Sequence, residues 1–568
     1  MIQNLQHTAK DSSKFESKDI DMLFGIINLA IKIDEADILT NIINLAKNYL
    51  NDPIYIKHKS IGSLIHYTAK NGHLNYLNIL ISANANINLK DQDGWNALHF
   101  SAANGHLNCL NALISASANV NAKDQNGSTA LHFSAANGHL NCLNALIRAN
   151  ANVNAKGQDD WTALHLAAQN SQLNCIKALI SANANMKAKG KNDWIPLHIA
   201  AKNGRLDCLN ALIDGNINSK KYWGCKTLSI DLKTGCFSYL KFLKSTNSYI
   251  NAKGKDDWTP LHFAVKNGYL DCLNALIKAN ANINAKDKYD WTPLYLAAQS
   301  GHIDCLNVLI DANADINVKN KYGWTPLHVA IKHRQLQSIK ILIDANINVN
   351  AKGKDDWTAL HFAAKQNDIN CLKTLINANA DVNIKNKNYW SPLHIAAQNN
   401  HPQCVKILIS ANADVNAKGK DDWTTLHIAA QNGQLKCLKI LIGSNADVNA
   451  KGKDHWTALH FAAAYNHFHC IQTLIKAGAD VNAKDTDYWT PLHFATNKEC
   501  IESIKALIEE NADINAPDKD GWTPLHMAAK KDTPDCLNAL IKTDVCNISA
   551  QMLDLLTGAP LDLENIGN

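Results

Sequence analysis

Histidine and cysteine carry most of the reactive chemistry available to this chain, and both recur in register. Thirteen of its 24 histidines occupy one place in a 33-residue pattern, from His66 through His99, His165, His262 and His394 to His526. Eleven of the 15 cysteines share another: Cys109, Cys142, Cys175, Cys208, Cys272, Cys305, Cys371, Cys404, Cys437, Cys470 and Cys536. Imidazoles and thiols are the raw material of metal sites and disulfides, and the acid pairs Asp256-Asp257, Asp355-Asp356 and Asp421-Asp422 offer general acids and bases. Spacing argues against each use. Equivalent positions of stacked units lie about 8 to 10 Å apart, whereas ligands sit ~2 Å from a shared metal ion and disulfide-bonded Cα atoms lie within ~7 Å of each other. The cysteines are expected to be free, small, buried apolar groups, and their number implies a reducing compartment, a cytosol of some kind. The acid pairs fall in turns, where propensity explains them. No phosphate-cradling Gly loop, nucleophile elbow, His-Glu-x-x-His or Cys-x-x-Cys is present. The chain reads as non-enzymatic, with no cofactor and no metal.

The elements that hold these rows follow from the same period. Trp258, Trp291, Trp324, Trp357, Trp390, Trp423, Trp456, Trp489 and Trp522 stand at one constant spacing, and the register extends back through Cys225 and, after a two-residue contraction, Trp194, Trp161, Ser128, Trp95 and Gly62. Such a period means stacked supersecondary units, each leaning on its neighbours. Fifteen units share the frame, and Ala30 to Ile43 align as a sixteenth, atypical one. Inside a unit, Thr259 is a helix N-cap and Pro260 sits at the first helical position, where its missing N–H costs nothing. Leu261, Ala264 and Val265 form a narrow stripe, and Lys266-Asn267-Gly268 end the helix. Leu270, Leu273, Leu276 and Ile277 then mark a second helix, closed by Asn280 in a left-handed conformation. Ile283 to Asp287 runs extended into the turn before the next Trp.

Helix, turn, helix and a projecting hairpin, opened by Thr-Pro-Leu-His, resembles the ankyrin repeat. Thr259-Pro260-Leu261-His262, Thr325-Pro326-Leu327-His328, Thr490-Pro491-Leu492-His493 and Thr523-Pro524-Leu525-His526 are full matches, and Asp520-Gly521 and Asp480-Val481-Asn482-Ala483 supply the flanking signature. The resemblance covers roughly residues 20 to 548 and implies an all-α repeat solenoid of about 15 to 16 stacked units, curved into a superhelix. Two departures stand out. Asn replaces the helix-ending Gly nearly everywhere except Gly478, and many turns read Gly-Lys-Asp-Asp, as at Gly254 to Asp257, where the family has Asp-x-x-Gly. The resemblance implies that the repeated histidine is structural, bonding the Thr-Pro turn and the next unit's backbone. It also implies that Trp95, Trp161, Trp194, Trp258 and the Trp residues after them project from the hairpins toward a concave binding face. There they are interface anchors, or they pack on the neighbouring hairpin and stiffen the array. Tyr289, Tyr322, Tyr389 and Tyr488 are aromatic variations near the same tips.

The expected division is a tail at 1–19, a degenerate capping repeat at 20–59, a first arm at 60–218, a degenerate unit at 219–250, a second arm at 251–548 and a tail or cap at 549–568. In the 219–250 unit Cys225-Lys226-Thr227-Leu228-Ser229 replaces the opening motif and Asp231 stands where an alanine packs, so a joint or bend is expected there.

A net charge of +5, interspersed rather than clustered, argues against nucleic acid as the main partner. Neither a Sec-type leader nor an apolar membrane span is visible, so a soluble, monomeric protein with no membrane association is expected. The resemblance implies a non-catalytic scaffold that binds partner proteins along its concave side. Abundant Asn, Ile and Lys suggest an AT-rich genome, and arrays this regular are frequent in intracellular bacteria that deploy them in host cells. The expected location is a cytoplasm, including that of a host reached by a non-Sec route; a protist source fits nearly as well. Two alternatives remain. An adaptor for an enzyme such as a ubiquitin ligase requires a docking box that neither end offers. Leu474 to Asn482 resembles the Leu-x5-Asp-Val-Asn sequence that eukaryotic asparaginyl hydroxylases accept, as do the segments ending at Asn383, Asn416 and Asn449, which makes these four asparagines hydroxylation candidates.

Overall fold

The computed structural model describes residues 64–221, 247–531 and 533–541, with Asp37 and Thr40. The expected tails, nearly all of the capping repeat and most of the degenerate unit lie outside these residues. Among the described residues the chain forms fourteen helix pairs and no strand, an all-α repeat solenoid.

The Trp258 unit shows how the sequence makes each pair. Thr259 is extended (φ −99°, ψ 165°), and the helix Pro260–Lys266 starts at the proline. Leu261, Ala264 and Val265 are buried, and Gly268 reverses the chain at φ 73°. The second helix, Leu270–Lys278, buries Cys272, Leu273 and Leu276, and Asn280 closes it at φ 61°. The same left-handed Asn recurs at Asn84, Asn150, Asn313, Asn412 and Asn511, so the substitution for glycine preserves the helix end. First helices pack on first helices and second on second, as Ala97–Asn104 on Ala130–Asn137 and Leu173–Ser181 on Leu206–Lys221.

The chain divides into two compact units, one of residues 1–297 with 304–314 and one of 298–303 with 315–568. In the first, the stack departs from the register counted along the sequence. His198 Nε2 donates to the Trp258 carbonyl at 3.1 Å, across 60 residues. The same bond elsewhere joins neighbours 29 residues apart, as from His165 to Trp194 at 3.1 Å. Asn267 Nδ2 likewise donates to the Lys202 carbonyl at 3.2 Å, and a Cβ on Gly204 would strike the Tyr269 ring. The Trp194 and Trp258 units are therefore direct neighbours, and the expected joint at 219–250 lies largely outside the described residues.

Candidate protein-binding surface

The histidine row is the interior of this surface. At His262 the Thr259 amide donates to Nδ1 at 3.1 Å and the Thr259 hydroxyl lies 2.8 Å from the same atom, while Nε2 faces the Trp291 carbonyl at 3.2 Å. A carbonyl only accepts, so Nε2 carries the hydrogen and Nδ1 the lone pair. The arrangement repeats at His165, His328, His361 and His460. Burial lowers these imidazoles to about 4 from the usual 6.5, with His198, His394 and His427 alike. Protonation would also set a new Nδ1–H against the donating amide. Each ring is a neutral strut between rungs, as the resemblance implied. The described cysteines are free and buried, and burial pushes Cys142, Cys175 and Cys470 up to about 11. Such thiols stay protonated and unreactive near neutrality. No group of three or more His, Cys, Asp or Glu among the described residues has the arrangement of a metal site.

The hairpins are of two kinds. In the first, an Asp or Asn at the turn's start holds it: Asp287 Oδ1 accepts from the Tyr289 and Trp291 amides, both at 2.8 Å. In the second, Gly-Lys-Asp-Asp places two successive residues in the left-handed region, as Asp256 at φ 57° and Asp257 at φ 64°. The Gly is there because the preceding unit's indole takes its side-chain space. A Cβ on Gly254 would come within 2.7 Å of Trp194 Cδ1, and one on Gly353 within 3.1 Å of Trp324 Cδ1. Adjacent tips are tied by backbone bonds, Lys288 to Asp256 at 2.8 Å and Lys387 to Asp355 at 3.0 Å. The acid pairs meet lysines, Lys253 with Asp257 at 3.1 Å and Lys387 with Asp355 at 3.6 Å. All these ion pairs are exposed and stabilise little.

The tryptophan row is half-buried at all twelve positions. Trp456 lies between Phe461 of its own unit and Phe494 of the next, at ring separations of 4.8 and 4.2 Å. Trp324 packs on Phe362 at 5.3 Å, which also contacts Trp357 at 5.1 Å. Over the remaining indole face sits a lysine eight residues on: Lys202 over Trp194 at 4.6 Å, Lys332 over Trp324 at 4.7 Å, Lys365 over Trp357 at 5.4 Å and Lys530 over Trp522 at 4.5 Å. The Trp-x7-Lys spacing that places them is legible in the sequence. The tyrosines are more open: Tyr289 is 42% exposed, Tyr322 51%, Tyr389 62% and Tyr488 52%. Tyr389 and Tyr488 hold left-handed backbone at φ 59° and 64°, where other hairpins place Gly. Tyr465 and Phe468 form a further exposed pair at the helix-turn end of the Trp456 unit.

Asn383, Asn416, Asn449 and Asn482 bind rung to rung. Their Oδ1 atoms each accept at 2.8 Å from the amides of Asp414, Asp447, Asp480 and Asp513. The Asn449 Nδ2 also donates to the Gly478 carbonyl at 3.0 Å.

A family model described as ankyrin repeats (3 copies) matches residues 65–157, 149–222, 228–320, 281–353, 313–386, 360–452, 393–485 and 459–552. The chain belongs to the ankyrin repeat family. Repeats of this family are generally protein–protein interaction modules and typically non-catalytic. No curated protein matches the chain. No helix among the described residues is long and apolar enough to cross a membrane.

Proposed function

We propose that this protein is a non-catalytic scaffold that binds partner proteins along the rim formed by its hairpin tips and first helices. The observation that carries this reading is the placement of large exposed apolar side chains. Of the six among the described residues, Tyr289, Tyr322, Tyr389 and Tyr488 stand on hairpin tips. Two of them, Tyr389 and Tyr488, accept a left-handed backbone costing ~1–2 kcal/mol relative to glycine. The tryptophans Trp95, Trp161, Trp194, Trp258, Trp291, Trp324, Trp357, Trp390, Trp423, Trp456, Trp489 and Trp522 act behind them, stiffening the rim and offering ring edges to a partner. Action as an effector inside a host cell is supported by amino-acid usage alone. Affinity capture from eukaryotic lysate tests the scaffold reading, comparing the intact chain with a Tyr322→Ser, Tyr389→Ser, Tyr488→Ser variant shown to be folded by circular dichroism. A protein retained by the first and lost by the second supports it. Equal retention moves the site off the tips, and no specific capture removes the reading.

A second reading is regulatory: Asn383, Asn416, Asn449 and Asn482 as hydroxylation substrates, favoured by the Leu-x5-Asp-Val-Asn sequences around them. Because each amide side chain lashes two rungs, access requires local opening. Absence of added oxygen at all four in protein recovered from animal cells removes this reading.

A further inference from the structure

The two faces of each helix pair differ in charge. None of the fourteen first helices contains Asp or Glu, yet six contain lysine: Lys70, Lys202, Lys266, Lys332, Lys365 and Lys530. Lysine in a last turn is favoured by the helix dipole, but the dipole does not account for the exclusion of acids. Second helices in the same chain end in Asp311, Asp344 and Glu509. In the unit of residues 315–568 the cations gather at one place. Lys332 and Lys365 stand on adjacent first helices, about 8 to 10 Å apart by helix packing, and each is held over an indole face. Between them Arg334 takes a left-handed backbone at φ 57°, where the units on either side place Gly301 and Asn367, and its Nη2 reaches across to the Gln366 carbonyl at 3.0 Å. Gln366 Nε2 returns a bond to the Lys332 carbonyl at 3.1 Å. Lys332, Arg334 and Lys365 are all exposed, and among the described residues none of the three has a carboxylate within ion-pair distance, although lysines of the nearby hairpins do.

We propose that Lys332, Arg334 and Lys365 form a carboxylate-binding site for an acidic, extended segment of a partner protein lying across the first helices. Charge complementarity selects the class. The ammonium groups are positioned by cation–π contact, which fixes part of their rotamer freedom before binding, and the Arg334 fork keeps further N–H groups free for a bidentate carboxylate. A nucleic acid fits less well, because three cations in one place make no continuous basic stripe and the net charge is only +5 over 568 residues. The inference rests on the scaffold reading and names the partner's chemistry.

The test is fluorescence anisotropy of the full chain with a labelled alternating Glu-Ser peptide, against an alternating Lys-Ser peptide and a single-stranded oligonucleotide of equal charge. We expect the Glu-Ser peptide to bind and to weaken as salt rises. A Lys332→Glu, Lys365→Glu variant should lose about tenfold or more in affinity, and Lys340→Glu, Lys373→Glu, the same charge change on second helices, less than about twofold. Matching urea midpoints confirm that both variants fold. Equal loss in the two variants, tighter binding of the oligonucleotide, or no Glu-Ser binding at low salt each overturns the proposal. Failure here with a captured partner still lost by the tyrosine variant leaves the scaffold reading standing; loss of both results removes that reading as well.

Discussion

The histidine row and the hairpin tyrosines obey one period and meet opposite fates. His262, His394 and His427 are fully buried, with both ring nitrogens engaged, whereas Tyr389 and Tyr488 leave more than half their surface open. Periodicity says where a residue recurs and nothing about its purpose; burial and hydrogen-bond satisfaction separate structure from binding. The tryptophans lie between the two, half-covered by Phe, Lys and the next unit's Gly.

The largest break in the comparison is predicted from pH. Eight rings have pKa lowered from 6.5 to about 4, so above pH 6.5 both folded and unfolded states hold them neutral and stability is full. As pH falls through 6.5 toward 4 the unfolded chain takes protons that the folded one refuses, and stability drains. At pH 5.5 the loss is about 1.4 kcal/mol per ring, in a range where most carboxylates are still ionised. Urea midpoints at pH 7.5 and 5.5 check this; equal midpoints contradict the neutral-strut assignment. The next effect concerns the direct stack. His198→Ala and His262→Ala should each cost ~2–4 kcal/mol by orphaning buried backbone groups. If His198→Ala is silent in thermal unfolding, the bond from His198 to Trp258 is not a rung like the others.

Smaller effects sharpen the boundary at the tips. Gly353→Ala should destabilise by about 1–3 kcal/mol, because the added methyl meets Trp324 Cδ1 and the Trp357 carbonyl. Tyr389→Gly should act in reverse, stabilising by about 1 kcal/mol as left-handed strain is relieved, while weakening capture of any partner that uses the ring. A loss of stability instead would make Tyr389 a structural residue.

Much of this was legible from residues alone. Thr259-Pro260 fixes a helix start and Asn280 takes the left-handed place of glycine, both by local chemistry, while the strut role of His262 was implied by the resemblance to the family. The direct contact of the Trp194 and Trp258 units was not legible, because counting follows the chain and these two meet across 60 residues. The burial of Trp456 depends on Phe494 in the next unit, a partner that no single repeat reveals. The lysines over the indoles were visible as Trp-x7-Lys, but their meaning came only with the absence of acids on the same helices.

The central claim is that partners meet the rim and not the outer helices. A photo-crosslinking residue placed at position 389 on a hairpin tip, and in a second protein at position 373 on the second helix Ile369–Asn377, tests it in cell lysate. The account predicts discrete protein adducts from position 389 and none from 373; adducts from 373 alone, or equally from both, would contradict it.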